Sequence, residues 1–266
     1  MFKPKFLIIL LSASLFTFLF SCESNDGSFI HGNPYISTSN KLLVEIFTNT
    51  SCIPCVQVNS YFDNINNLTG VTVNDTNVIL MRVHTTLFAN DPFYNFNPTV
   101  NFARQQYYNA GLSNPRAYMM GNSMGSYSSQ NYTTLLNQQM QQNNAIGINL
   151  TNTFDSTTRA GGLDISLAQV SGSQLSDLVL HCAVVENNLI MNPPAPNGET
   201  DFENTLRDWV TNVNGESFTI VPGQALQFHK NYTLRTGIDF HHAYLIVFVQ
   251  AVASKTVYGV KKINLY

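Results

Sequence analysis

Two cysteines separated by two residues, Cys52 and Cys55, stand where an apolar segment gives way to an amphipathic one. The segment before them, residues 41–47, is short and rich in β-prone side chains, and polar residues at 49–51 interrupt it. Beyond Cys55, apolar residues recur at the three- and four-residue spacing of one helix face: Val58, Tyr61, Phe62, Ile65 and Leu68. The pattern therefore predicts a strand, a tight turn that carries both cysteines, and a helix.

A thiol at the start of a helix meets unpaired backbone N–H groups and the positive end of the helix dipole, which favour the thiolate. We therefore expect Cys52 to be a nucleophile of lowered pKa. Pro54 suits the first helical turn, and Cys55, one turn further on, is expected to be the resolving thiol. Two alternatives remain open at this point: a static disulfide, or half of a zinc site. Apart from this pair, Cys182 is the one cysteine that follows the N-terminal region.

The N-terminus has the features of a bacterial lipoprotein signal. Lys3 and Lys5 precede an apolar stretch at 6–20 that is too short to span a bilayer comfortably, and a serine stands directly before Cys22. We expect a signal peptide at 1–21, lipidation of Cys22, and a flexible tether at 22–40 that is rich in Ser, Asn and Gly. The alternatives are ordinary signal cleavage or a chance cysteine. Either way the chain is expected to be exported, where disulfides persist.

Composition agrees with a folded chain of two parts. The 266 residues are 44% hydrophobic and 11% charged, with a net charge of -3, so there is no basic face for nucleic acid. We find no glycine-rich phosphate loop, dinucleotide fingerprint or Ser-His-Asp order, and we expect no cofactor. The tandem His241-His242 has no ligands at metal spacing, so no metal site is expected.

The region 41–145 is predicted to be an α/β domain. A second buried strand at 77–84 would complete a strand-helix-strand unit with parallel pairing. A helix opening at Pro98 and ending near Gly111, a short strand at 116–120, and a helix capped by Ser129 follow.

From residue 146 the pattern changes to recurrent short strands separated by turn residues, which predicts an all-β, sandwich-like domain over 146–266. The predicted strands are 146–154, 162–170, 178–185, 218–221, 232–238, 244–252 and 255–265. Between them, a capping-box spacing and an apolar stripe predict one packing helix at 201–213.

The sequence resembles the thioredoxin superfamily across 41–143, through the strand-CxxC-helix unit and the Asn114-Pro115 pair. More narrowly, it resembles the Omp28-related outer membrane lipoproteins, which pair such a domain with a C-terminal β-rich one. The shared features are, in chain order, Val44-Glu45-Ile46-Phe47-Thr48, His84, Asp91-Pro92-Phe93, Val185-Glu186-Asn187-Asn188, Asn197-Gly198, Asn204-Thr205-Leu206-Arg207 and the closing strands.

The resemblance implies that Cys52 and Cys55 occupy redox positions and that Pro115 takes the place of a cis-proline beside them, although most prolines are trans. Such a proline would offer a backbone edge to a substrate peptide. Ser51 stands where thioredoxins commonly have Trp. The inserted segment 85–97 is either a lid or peptide-binding rim over the cysteines or a loop packed by its own aromatics.

Two ionisable residues are further candidates. Glu45 lies in an apolar strand and is either a buried proton shuttle for Cys55 or an ion-paired structural residue. His84 ends the second strand on the same side of a parallel sheet as Cys52, where it either lowers the pKa of Cys52 or is simply hydrogen-bonded.

These observations predict a lipid-anchored envelope oxidoreductase that exchanges disulfides with exported proteins. Its partners would be exported protein thiols or disulfides, a redox partner protein, and the membrane through Cys22. The alternative is a non-catalytic outer-membrane binding or assembly lipoprotein that uses both domains as interaction surfaces.

Overall fold

The computed structural model describes residues 28–29, 36, 39–68, 70 and 76–266. The predicted signal peptide, Cys22 and most of the tether lie outside these residues. The described part of the chain is mostly β, with two sheets and a small hairpin.

The strands are β1 Ser28–Phe29, β2 Leu42–Thr48, β3 Val78–His84, β4 Arg116–Met119, β5 Asn122–Ser123, β6 Ile146–Asp155, β7 Ala160–Gln169, β8 Leu178–Glu186, β9 Leu189–Ile190, β10 Asp201–Phe202, β11 Thr205–Trp209, β12 Glu216–Phe218, β13 Ala225–Thr233, β14 Ala243–Ala251 and β15 Val257–Asn264. The helices are α1 Cys55–Asp63, α2 Pro92–Phe96, α3 Pro98–Tyr108 and α4 Ser129–Gln139, with a 3-10 turn at Ile65–Asn67.

The larger sheet is mixed and runs in the order β15-β14-β8-β11-β3-β2-β4-β5, with β12 also on β8. The predicted parallel pairing of β2 and β3 is confirmed, and β11 pairs in parallel with the other edge of β3. This last contact joins strands from the two halves of the sequence into one sheet. The described residues therefore form a mostly β fold in which the two halves of the sequence share one mixed sheet, and a thioredoxin-like α/β domain at 41–145 stays a prediction. The boundary at 145/146 stays a prediction.

The smaller sheet, in the order β1-β13-β7-β6, packs over β8 and β14 of the larger one. The packing is sandwich-like, since alternate residues of each strand point into a common core. From the larger sheet the core takes Leu180, Cys182, Val184, Leu245, Val247 and Val249, and from the smaller one Ile146, Leu163, Ile165, Leu167, Leu226 and Phe228. Cys182 is buried there as a small apolar residue, and burial raises its pKa.

The predicted helix at 201–213 is wrong, because this segment forms β10 and β11. β11 lies between β8 and β3, so side chains on both of its faces are buried. Buried residues on two faces of a central strand produce apolar positions that mimic a helical stripe. Pairing with the distant strands β8 and β3 therefore determines the conformation of this segment, against its local sequence pattern.

Three other boundaries also differ from expectation. The strand expected at 232–238 is β13, Ala225–Thr233, and the one expected at 218–221 is β12, Glu216–Phe218. Helix α3 ends at Tyr108, before Gly111, because Asn109 adopts the left-handed conformation of a helix C-terminus.

Candidate functional site

Cys52 and Cys55 form a disulfide in the turn between β2 and α1. The N–H of Cys55 donates to the Cys52 carbonyl at 3.2 Å, and the N–H of Cys52 donates to the Asn49 carbonyl at 2.9 Å. Cys52 is 1% exposed and Cys55 is fully buried, whereas Ile53 between them is 73% exposed. The turn therefore presents an apolar side chain to solvent and keeps both sulfurs inside.

Asp91 ties this turn to the end of β3. Its Oδ2 accepts a hydrogen bond from the Thr50 N–H at 2.9 Å and lies 2.8 Å from Nδ1 of His84. Its Oδ1 accepts from the N–H groups of Phe93 and Tyr94, which caps α2. Burial tends to raise the pKa of Asp91, but attraction to His84 and these hydrogen bonds outweigh it and lower the pKa below 3.8. A buried carboxylate thus fixes the turn, β3 and α2 together.

His84 is buried against aromatic rings. Its ring centroid lies 4.9 Å from that of Phe93 and 6.1 Å from that of Phe202, and its Nε2 has no hydrogen-bond partner among the described residues. The contact between His84 and the cysteine turn that the structure shows runs through Asp91 to Thr50. A direct effect of His84 on the pKa of Cys52 stays a prediction.

The connection between β8 and β11, residues 187–204, lies against the cysteine turn, and we refer to it as the excursion. The N–H of Asn197 donates to the Thr50 carbonyl at 3.0 Å, and its side-chain amide donates to the Cys52 carbonyl at 3.4 Å. Glu199 accepts from the Asn59 side chain of α1 at 2.9 Å. The C-terminal half of the sequence therefore supplies part of the surroundings of the disulfide.

An apolar cluster forms a second contact between the excursion and the rest of the fold. Ala195 and Phe202 of the excursion pack with Phe93 of α2, and the rings of Phe93 and Phe202 lie 4.6 Å apart. Phe93 is therefore turned inward, whereas Phe88 of the same segment is 44% exposed, and the role of segment 85–97 stays a prediction. Sequence reasoning noticed Asn197-Gly198 through the resemblance alone, since no local pattern indicates a contact across 145 residues.

Glu45 does not face the cysteines. Its carboxylate receives two hydrogen bonds from Arg104 of α3, at 2.6 and 2.7 Å, and one from the Tyr108 hydroxyl at 2.8 Å. Thr48, three residues along β2, contacts Asn59 of α1 instead. Because successive side chains of a strand point to opposite faces, Glu45 and α1 lie on opposite sides of the sheet. The proton-shuttle hypothesis for Glu45 is corrected to its alternative, a buried ion pair.

Pro115 stands at the same end of the sheet as the disulfide. The Asn114–Pro115 bond is cis, as the resemblance predicts, and β4 begins directly after it, beside the end of β2. The side chain of Asn114 donates to Thr85 at 2.7 Å, just beyond β3. A role of Pro115 in holding a substrate stays a prediction.

Three exposed apolar side chains occupy the loops at this end: Ile53, Leu112 at 77% and Phe88 at 44%. The loops are linked to one another, since Asn49 donates hydrogen bonds to the carbonyls of Thr85 and Phe88 at 2.9 and 3.1 Å. We call Ile53, Phe88 and Leu112 the apolar rim.

In the described part of the chain, no helix has the length and hydropathy needed to cross a membrane.

Comparison with known proteins gives a family and a fold. The sequence profile of the family described as outer membrane protein Omp28 matches residues 103–265. The structure of HBP35 of Porphyromonas gingivalis is similar with a TM-score of 0.71 at 14% identity, covering 86% of this chain and 76% of that one. At this identity the likeness concerns the fold alone.

A domain of the outer membrane lipoprotein Omp28 from Porphyromonas gingivalis matches with a TM-score of 0.34 at 16% identity, covering 46% of this chain and 88% of that one. β-Glucosidase 3B from Thermotoga neapolitana, in complex with glucose, matches with a TM-score of 0.25 at 10% identity, covering 46% of this chain and 16% of that one. These two scores are too low to support any structural conclusion. No curated protein matches the sequence.

Proposed function

The chain belongs to the family of outer membrane protein Omp28, and we propose that it is a lipid-anchored lipoprotein that binds a partner protein at the end of the fold that carries the Cys52–Cys55 disulfide. Family membership confirms the resemblance seen in the sequence and the outer-membrane location that goes with it. The proposal concerns the anchor, the binding surface and the role of the disulfide.

The anchor is proposed at Cys22. The basic residues Lys3 and Lys5, the apolar stretch 6–20 and the serine before Cys22 support it. An outer-membrane location for a chain with this N-terminus is consistent with a lipid on Cys22.

The observation that carries the proposal is the burial of both sulfurs in a closed disulfide. Thiol-disulfide exchange requires an attacking thiolate to reach a sulfur atom, so its rate depends on access. Cys52 and Cys55 are 1% and 0% exposed, and Asn197 is hydrogen-bonded to the turn that holds them. We therefore assign the disulfide a structural role, in which it fixes the turn that displays Ile53.

The apolar rim supports the choice of partner. Single exposed apolar residues are common on protein surfaces, but here three stand on linked loops at one end of the sheet. A site of this kind suits an apolar segment of an exported protein. The net charge of -3 gives no reason to expect nucleic acid.

A second candidate function is thiol-disulfide exchange, and a specific set of observations favours it. A disulfide precedes a helix in a strand-helix-strand unit with parallel pairing, and a cis-proline stands beside the end of the first strand. This is the arrangement that the resemblance to thioredoxins in the sequence predicts. In the reduced protein, the Cys52 thiolate would attack a substrate disulfide and release one substrate thiolate, and Cys55 would then displace the other. The two protein thiols would be oxidised and the substrate disulfide reduced. Exchange of this kind needs the excursion to move away from Cys52.

The two functions are separated by photo-crosslinking in cells. A crosslinking amino acid at position 53 is expected to give a discrete protein adduct, and the same group at the exposed position Gln141 is expected to give none. The adduct should persist when Cys52 and Cys55 are both replaced by Ser and should disappear in Leu112→Asp.

If thiol exchange is the function, the opposite pattern appears. The Cys55→Ser variant then accumulates mixed disulfides with exported proteins through Cys52, and the double serine variant loses its partners. That outcome would overturn the binding proposal.

A further inference from the structure

A polar trough runs along the outer face of the smaller sheet, whereas the disulfide follows β2 of the larger sheet. Strand β7 lies between β6 and β13, and their registers align three rows of outward-facing residues. The rows are Asn149-Ser166-Gln227, Thr151-Asp164-His229 and Thr153-Gly162-Asn231. The middle strand carries the smaller side chains, so it forms a floor between two polar walls.

Two shallow depressions, both open to solvent, lie along the trough. The first two rows line a depression of about 470 Å³, and the third row, with its neighbours Asp155 and Ala160, lines one of about 380 Å³. At the floor between them, a Cβ added to Gly162 would lie 3.2 Å from Oγ1 of Thr153 and 3.3 Å from Cε1 of His229. A larger side chain would crowd both walls, so glycine keeps the two depressions continuous. The three rows extend for about 14 Å along the strands.

The polar groups of the trough are partly prearranged. Nδ1 of His229 lies 2.7 Å from a carboxylate oxygen of Asp164, and its Nε2 lies 3.1 Å from the amide oxygen of Asn231. These contacts fix the imidazole and do not use the second Asp164 oxygen or the Asn231 amide N–H groups. The side chains of Thr151, Ser166 and Gln227 make no hydrogen bond with another described residue. The trough thus offers both donors and acceptors in fixed rows.

The chemistry of the trough excludes several classes of ligand. Its outward residues include no apolar side chain larger than Ala160, which argues against acyl chains and apolar peptides. It has no cluster of Lys or Arg for a polyanion. The floor strand β7 is paired on both sides, so a peptide cannot add to it as a further strand.

From these features we propose that the trough binds a neutral saccharide chain. Sugar hydroxyls donate to and accept from carboxylates, amides and hydroxyls, and these groups line the floor and both walls of the trough. An extended oligosaccharide presents such hydroxyls along two edges, which matches two polar walls and a narrow floor. The proposal is independent of the function assigned to the disulfide-bearing end.

The test is calorimetric binding of chitohexaose, cellohexaose and maltohexaose to the full chain purified in detergent. The wild type is expected to bind at least one of them. Two double variants, Asp164→Ala with His229→Ala and Thr151→Ala with Gln227→Ala, are each expected to weaken binding about tenfold or more. The matched control, Gln141→Ala with Gln142→Ala, changes exposed amides outside the trough and is expected to bind like the wild type.

All four residues of the double variants are exposed, so the variants are expected to keep the wild-type melting temperature. The proposal is overturned if the wild type binds none of the three sugars. It is also overturned if a folded trough variant binds as well as the control does.

Discussion

The guanidinium of Arg104 and the carboxylate of Glu45 form a buried, bidentate ion pair with N–O distances of 2.6 and 2.7 Å. Gln250 of β14 accepts a further hydrogen bond from Arg104 at 2.9 Å. Burial tends to lower the pKa of Arg104, but the adjacent Glu45 outweighs it and the pKa is raised, so Arg104 stays charged. One ion pair thus connects β2, α3 and β14 through the interior.

Removing one partner of this pair should be costly. We expect Glu45→Gln to lower the free energy of unfolding by about 3–5 kcal/mol, because it leaves the Arg104 charge buried and uncompensated. Urea unfolding measures this. The exposed ion pair of Arg235 with Asp208 provides the control, and Arg235→Met should cost about 1 kcal/mol or less.

The same variant tests the corrected role of Glu45. After reduction, the pH dependence of Cys52 alkylation is expected to be the same in Glu45→Gln as in the wild type. A shifted profile would mean that Glu45 acts on the cysteines after all.

His181 should make stability depend on pH. Burial, and next the positive charge of Arg104, hold the pKa of His181 well below 6.5. Below about pH 6.5 the unfolded chain therefore binds a proton that the folded chain does not, and stability falls as the pH falls. Between pH 6.5 and 5 the loss is about 2 kcal/mol, at about 1.4 kcal/mol per pH unit.

Melting curves of His181→Phe over this pH range check the prediction. In His181→Phe, the fall in stability between pH 6.5 and 5 should be smaller than in the wild type by about 2 kcal/mol. In His241→Gln, at an exposed position, the fall should be the same as in the wild type. An unchanged slope in His181→Phe would show that His181 does not titrate in this way.

Asp91 should make a large contribution to the free energy of unfolding and to the order of the cysteine turn. Asp91→Ala leaves the buried Thr50 N–H without its acceptor and removes the cap of α2, so we expect a loss of about 2–4 kcal/mol. Hydrogen exchange should become faster in the turn at residues 50–55. Asp201→Ala, at an exposed position, is expected to stay within about 0.5 kcal/mol of the wild type, and equal effects of the two changes would contradict this account.

The disulfide itself should contribute modestly. A four-residue loop is short, and the chain-entropy estimate for closing it is about 2 kcal/mol. The double variant Cys52→Ser with Cys55→Ser should therefore fold, melt at a lower temperature and keep the crosslink from position 53. A folded double variant that keeps the wild-type hydrogen exchange in the turn but has lost the crosslink would require a chemical role for the cysteines.

Local patterns in the sequence predicted the elements that local forces decide. The apolar run of β2, the turn at Cys52 and the stripe of α1 are contiguous, so periodicity and helix-start chemistry were sufficient to identify them. The parallel pairing of β3 followed from the same unit.

The remainder depends on contacts between distant residues, which no window of the sequence contains. β11 is a strand because β8 and β3 flank it, and Arg104 is the partner of Glu45 because α3 packs on that face of the sheet. The closeness of Asn197 to Cys52 requires the excursion to fold back across the sheet. The sequence indicated two possible roles for Glu45, and the position of Arg104 decided between them.

The most direct test of the central claim is the rate at which dithiothreitol reduces Cys52–Cys55 in the folded protein, followed by alkylation and mass spectrometry and compared with the rate in urea. A buried disulfide that is reached by local opening should be reduced about a hundredfold more slowly in the folded protein. Replacing Asn197 and Glu199 together by Ala should make the reduction of the disulfide in the folded protein faster. A folded protein whose disulfide is reduced as fast as in urea, and which reduces insulin with turnover, would contradict a structural disulfide and establish thiol exchange instead.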